Sequence, residues 1–208
     1  MANIEKTDSG RLVFSQAEYV HVTPYKNEDE IGEVTYDIVN IVGDTLSFTP
    51  DDNTVNAKES EFKDDPLFEN ITLGKYQFAG TCIDFQNKVM QAIYGWHVDG
   101  DDVYAPTGYK DKYCVIEIGF KNEDVIVVAP KVKLNSKATI ANLKTGTGEG
   151  NLAGTAYSAM VNSKKSTPIA FLKAKKDEET GIPSATYTIQ NGTKTSTFTA
   201  MAGVSAGA

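Results

Sequence analysis

The chain has 208 residues, 40% of them hydrophobic and 23% charged, enough for one large domain with a proper core. It contains no apolar run long enough to span a bilayer as a helix, and its start, MANIEKTDSGRLVF, lacks the basic and apolar regions of a secretory signal, so a protein made and used inside a cell is expected. The net charge is −8, and Arg11 is the single arginine among 20 basic residues, which argues against tight nucleic-acid binding, where arginine forks meet phosphates.

Residues 2–16 carry no sustained period, and an N-terminal arm over 1–30 is expected, followed by one β domain over 31–200 and a flexible tail over 201–208. Alternation begins at Val34: Val34, Tyr36, Ile38 and Val42 share one face of VTYDIVNIV, and Gly43-Asp44 turns the chain into TLSFT (45–49). Residues 50–68, PDDNTVNAKESEFKDDPLF, are acidic, polar and weakly patterned, which reads as a long loop. In KYQFAGTCI, Tyr76, Phe78, Gly80 and Cys82 alternate with Gln77, Ala79 and Thr81. A helix over about 85–94 follows, capped by Asp84, with Phe85, Val89, Ala92 and Ile93 on one face and Gly95 as its stop.

After the turn-rich 99–111, CVIEIGF (114–120) and VIVVAP (125–130) flank KNED as a hairpin, and Asn191-Gly192 lies between two alternating runs near the end. The count is about nine strands and one helix: a mainly β fold, a β-sandwich or half-barrel with one flanking helix.

Candidate chemistry is sparse. Gly146, Gly148, Gly150 and Gly154 in GTGEGNLAGTAYSAMV suggest a phosphate loop, but such a loop needs a helix after it, and LAGTAYSAMV alternates as a strand. The clusters Asp51-Asp52, Asp64-Asp65 and DGDD (99–102) lack the alternate oxygens and distal carboxylate of a calcium loop and read as solvated turns. His21 and His97 have no cysteines at metal-ligand spacing, and Cys82 and Cys114, in apolar runs, read as buried free thiols. There is no GxSxG, and Trp96 and the ten tyrosines are spread through strands as core and interface residues. No catalytic, cofactor or metal residue is assigned, and a structural or binding protein is the better class.

The order of elements, with an alternating strand pair, the polar stretch 50–68, a strand running into one short helix that ends in Gly95-Trp96, then hairpins, resembles the major tail tube proteins of long-tailed bacteriophages. NEDVIVVAPKVKLNSKATIANLKTGTGEGNLAGTAYSAMV is similar in texture, and the resemblance covers roughly residues 30–175. It implies a virion protein without enzymatic activity, closing as hexameric rings that stack into a tube. DNA passes down the lumen without specific binding, and the partners are copies of the chain and other tail proteins, with no membrane and no cofactor. It also implies that 50–68 is the stacking element, with Asp51, Asp52, Asn53, Lys58, Glu59, Glu61, Lys63, Asp64 and Asp65 as candidate inter-ring residues. Another virion β-protein, of the capsid or head–tail region, and a carbohydrate-binding module are the alternatives.

Overall fold

The computed structural model describes residues 17–38, 41–42, 45–60, 63–82, 87–100, 102–108, 112–120, 124–135, 137–139 and 149–200. The first strands are β1 (Ala17–Pro24), β2 (Tyr36–Asp37), β3 (Ser47–Pro50), β4 (Thr54–Ser60), β5 (Lys63–Thr72) and β6 (Tyr76–Cys82). A helical segment follows, α1 (Asn87–Val89) continued by a π turn (Met90–Tyr94), then β7 (His97–Asp99), β8 (Asp102–Tyr104), β9 (Lys112–Phe120), β10 (Val125–Leu134) and β11 (Lys137–Thr139). The last strands are β12 (Glu149–Tyr157), β13 (Ala159–Val161), β14 (Lys165–Thr167), β15 (Ala170–Lys173), β16 (Lys175–Lys176), β17 (Pro183–Asn191) and β18 (Lys194–Ala200).

The fold is mainly β with one short helix, as the patterning predicts. A nine-stranded antiparallel sheet runs in the order β2-β1-β9-β10-β12-β6-β3, with β11 beside β12 and β15 beside β10, and curls into a half-barrel. A five-stranded sheet, β14-β13-β17-β16 with β18 on β17, lies against it, and β4–β5 and β7–β8 are separate two-stranded ribbons.

Strands β9 and β10 hold the molecule together because both of their faces are covered. Cys114, Ile116 and Ile118 of β9 join Val20, Val22, Phe78, Leu152 and the helical residues Val89, Met90 and Ile93 in one core. The intervening Val115, with Ile126 and Val128 of β10, packs on Ala159, Tyr187 and Ile189 of the smaller sheet in a second core. The near-continuous apolar runs CVIEI and VIVVA are what two-sided burial requires, since each fully buried branched side chain contributes about 1.5–3 kcal/mol.

A bulge in β10 redirects this pattern. Ala129 pairs with Ile116 but Val132 pairs with Cys114, so β10 carries one extra residue across Pro130-Lys131. Upstream Val127 and Ala129 face the half-barrel core, and downstream Val132 and Leu134 do. The residues that then face outward are polar.

Several sequence expectations change. Ala17–Pro24, assigned to an N-terminal arm, is an integral strand paired with β9 in continuous register from Tyr19 to Pro24, with a register shift between Ala17 and Tyr19; residues 1–16 lie outside the described residues, as does the tail 201–208. Of the strand expected from Val34, Tyr36–Asp37 pairs as β2 and Ile38 is buried in the core, whereas Val34 is 53% exposed; residues 39–40 and Gly43-Asp44 lie outside the described residues. The helix widens: the Gly95 N–H, at a left-handed φ of 76°, bonds back to the Met90 carbonyl, which brings Met90 and Tyr94 into the core beside Ile93. Asp84 and Phe85 lie outside the described residues. The hairpins β9–β10 and β17–β18 stand as expected, with Asn191 ending its strand opposite Lys194 and Gly192 turning at φ 59°.

Residues 149–157 form a strand, so no helix follows the glycine-rich stretch and the phosphate reading is excluded. The strand does not continue as one face to Met160. Leu152, Gly154 and Ala156 are buried, the chain breaks at exposed Ser158, and in β13 Ala159 enters the second core while Val161 is buried. Gly154 is required where it stands, since a Cβ there would lie 2.5 Å from the Lys133 carbonyl oxygen.

Candidate functional site

The stretch 50–68, expected to be irregular, is mostly strand. β4 and β5 pair antiparallel from Thr54↔Thr72 to Ser60↔Lys63, with a register irregularity between Lys58 and Ser60. Acidic and polar composition hid this ribbon, because neither strand carries clean alternation. Of the candidate inter-ring residues, Asp51, Asp52 and Asn53 are exposed at its root, Lys58 and Glu59 lie on β4, and Lys63, Asp64 and Asp65 lie on β5; Glu61 lies outside the described residues.

The root of the ribbon is fixed to the large sheet. Asp51 N–H donates to the Lys75 carbonyl at 2.8 Å, Gly74 N–H donates to Asn53 Oδ1 at 3.0 Å, and the Gln77 amide donates to Asp51 Oδ2 at 2.6 Å. Gln77 also accepts from Thr155 Oγ1 at 2.9 Å, tying the root to β12. The ribbon itself pairs with no other strand.

Beside that root lies a row of side chains that sequence spacing does not reveal, because they come from distant parts of the chain: Tyr25 just past β1, Lys75 just before β6, Tyr113 on β9, Lys131 on β10 and Tyr157 on β12. Tyr25, Tyr113 and Tyr157 stand edge to face, with ring centroids 6.4 and 6.3 Å apart. The Lys131 ammonium lies 4.9 Å from the Tyr113 centroid and 5.8 Å from that of Tyr25, and Lys75 lies 4.9 Å from that of Tyr157. Lys131 also donates to the Glu28 carbonyl at 2.9 Å, and Tyr25 donates to the Pro130 carbonyl at 2.8 Å. Burial raises the Tyr25 hydroxyl pKa well above its usual range, so it remains a donor. With lysines on their faces, these rings are not open platforms for a sugar.

A second group is internal. Glu117, 5% exposed, lies between the sheets and accepts from Tyr187 OH at 2.6 Å and from His21 Nδ1 at 3.1 Å. Tyr19 stacks on His21 with centroids 4.4 Å apart and donates to the Pro183 carbonyl at 3.3 Å. Gly119 makes this possible, since a Cβ there would overlap the Tyr19 ring. His21 Nε2 is buried without a hydrogen-bond partner, 3.9 Å from Asp37 Oδ1. Burial, reinforced by Glu117, pushes the Tyr19 and Tyr187 hydroxyls far above the ordinary tyrosine range, so both stay protonated. The cluster stitches β1 and β9 to β17. It is a tie between the two sheets built from buried side chains.

A polar groove of about 570 Å³ runs between residues 23–35 and β18, lined among others by Thr23, Thr35, Thr195 and Thr197. Its charges neutralise each other: Lys26 pairs with Glu33 at 2.6 Å and Lys194 pairs with Glu30, and these bonds hold both carboxyls below their usual range.

Among the described residues, no three His, Cys, Asp or Glu side chains are grouped to hold a metal. Cys82 and Cys114 are free and buried as expected; the Cys82 sulfur contacts Tyr94 OH at 2.9 Å, and burial raises the Cys114 thiol pKa far above its usual value. His97, exposed on β7, tilts against Tyr104 with centroids 6.1 Å apart. Among the described residues, no helix is long and apolar enough to cross a membrane.

No family profile matches the chain, and no curated protein matches it. Among solved structures, it is similar to a chain of the cryo-EM structure of the anti-feeding prophage (AFP) baseplate, 6-fold symmetrised, with 11% identity and a TM-score of 0.36 over 74% of this chain and 92% of that one.

Proposed function

We propose that this chain is a structural protein of a phage-type particle that polymerises as stacked rings, hexameric by the resemblance described above, to form a tail tube through which DNA passes without specific binding. The observation that carries the reading is the pairing of an open sheet with a detached ribbon. The nine-stranded sheet ends at β2, two residues long, and β3, four residues long, and each pairs on one side only. Closing such edges against neighbouring copies removes unpaired backbone groups and gives a ring without a free edge. The ribbon β4–β5, rooted at the sheet yet paired to no other strand, is an element with which one ring contacts the next. The net charge of −8 and the single arginine suit a wall along which a polyanion slides. In this reading the chain does no chemistry, its partners are its own copies and other tail proteins, and its location is the particle's tail.

Negative-stain microscopy with light scattering on the purified chain tests this. Rings or tubes of uniform diameter are expected as concentration rises. A chain that remains strictly monomeric at high concentration, above all one that binds glycans on an array, refutes it.

A further inference from the structure

Two features are only partly matched among the described residues. Among the described residues neither Lys75 nor Lys131 is paired with a carboxylate; each ammonium is instead held over tyrosine rings. Among the described residues, no third strand pairs with the ribbon β4–β5. A two-stranded ribbon alone is only marginally stable in water, so a surface that covers it stabilises it. Its charge is strongly one-sided: residues 51–70 hold seven carboxylates (Asp51, Asp52, Glu59, Glu61, Asp64, Asp65, Glu69) against Lys58 and Lys63.

Copies of a chain with a net charge of −8 repel one another, and a stable contact between them needs local potentials of opposite sign. Lys75 and Lys131 supply a cationic face of that kind, and their seating on rings removes much of the side-chain entropy that exposed lysines lose on contact. Centroid separations of 6.4 and 6.3 Å make the ring row at most about 13 Å long, within the ~24 Å length of a seven-residue β4 at ~3.4 Å per residue. We propose that the Tyr25–Tyr113–Tyr157 row, with Lys75 and Lys131 seated on it, receives the acidic ribbon of a second copy of this chain. This rests on the self-assembly reading above and supplies the receiving face that reading leaves open.

The test is assembly of the full chain, followed by sedimentation and microscopy between low and high salt. Wild type is expected to assemble less readily as salt rises. Lys75→Glu with Lys131→Glu is expected to raise the concentration for half-assembly by about tenfold or more. Adding Asp64→Lys and Asp65→Lys to that variant is expected to restore assembly, which loss of a purely structural lysine would not allow. Carbodiimide coupling of assembled wild type is expected to join Lys75 or Lys131 to carboxylates within 51–69. If circular dichroism shows that Lys131→Glu disturbs the fold, Lys75→Glu, at an exposed position, carries the test alone. Assembly unchanged in the lysine variants, or cross-links from these lysines to other segments, overturns the docking face and leaves the tube reading standing. A wild type that never assembles overturns both.

Discussion

The centre of the large sheet and the ribbon at its margin are both antiparallel β-structure, yet they are built on opposite terms. In β9 and β10 every side chain from Cys114 to Ile118 and from Ile126 to Pro130 is buried, and the one charge in the run, Glu117, is bonded to Tyr187 and His21. Among the described residues β4 and β5 pair only with each other, and Val55 at the root is 52% exposed. Burial on two faces makes the first region the source of stability. The second contributes little to the folded monomer and leaves backbone and charge available to a neighbour. A protein that must fold before it assembles gains from keeping these duties on separate strands.

The comparison breaks most sharply at high pH. Tyr19, Tyr25 and Tyr187 all have pKa values raised chiefly by burial, so folding favours their protonated forms. Their contribution is complete below the ordinary tyrosine value of about 10 and is lost as pH climbs above it toward the folded-state values. Absorbance of tyrosinate near 295 nm is expected to show these three groups ionising only together with unfolding. Three separate titrations in a folded protein would contradict the burial.

Next in size is Glu117→Ala, which leaves His21 and Tyr187 buried without their acceptor; a loss of about 3–5 kcal/mol by urea denaturation is expected. Tyr187→Phe removes one donor to a buried carboxylate and is expected to lose about 1–3 kcal/mol. At the other end of the scale, Val55→Ala in the ribbon is expected to change stability by no more than about 0.5 kcal/mol. Replacing 54–72 by a short turn is expected to leave a folded monomer that no longer polymerises. Loss of the fold on that deletion would mean that the ribbon belongs to the core after all.

Legibility in the sequence followed burial. Where one face or both are apolar, as in KYQFAGTC, CVIEIGF and VIVVAP, the period or its absence named the strand, and the turn residues placed the hairpins. Where apolar and polar residues do not alternate, as in TVNAKES and KDDPLFENIT, strand pairing left no trace in composition. YVHVT in β1 does alternate, and His21 in the middle of it is explained only by Glu117, nearly a hundred residues later. A lone glutamate inside an apolar run was the available signal, since a buried charge must have partners, but its partners cannot be named from one strand. The tyrosine–lysine row was hidden for the same reason: Tyr25, Tyr113 and Tyr157 become neighbours only through the register of β1, β9, β10 and β12.

The single extra residue in β10 therefore has a reach beyond its own turn of chain. Upstream of Pro130-Lys131 the strand is sealed between two cores, and downstream its outward side chains are Lys131 and Lys133. Flattening the bulge with its extra residue still in the chain would exchange inside for outside along the rest of the strand, sending lysines inward and Val132 and Leu134 into water. Deleting that one residue would instead bring Val132 two positions after Ala129, in ordinary register with Cys114 and still facing the core. The bulge thus marks the boundary between the part of the strand sealed between two cores and the part whose outward side chains are lysines.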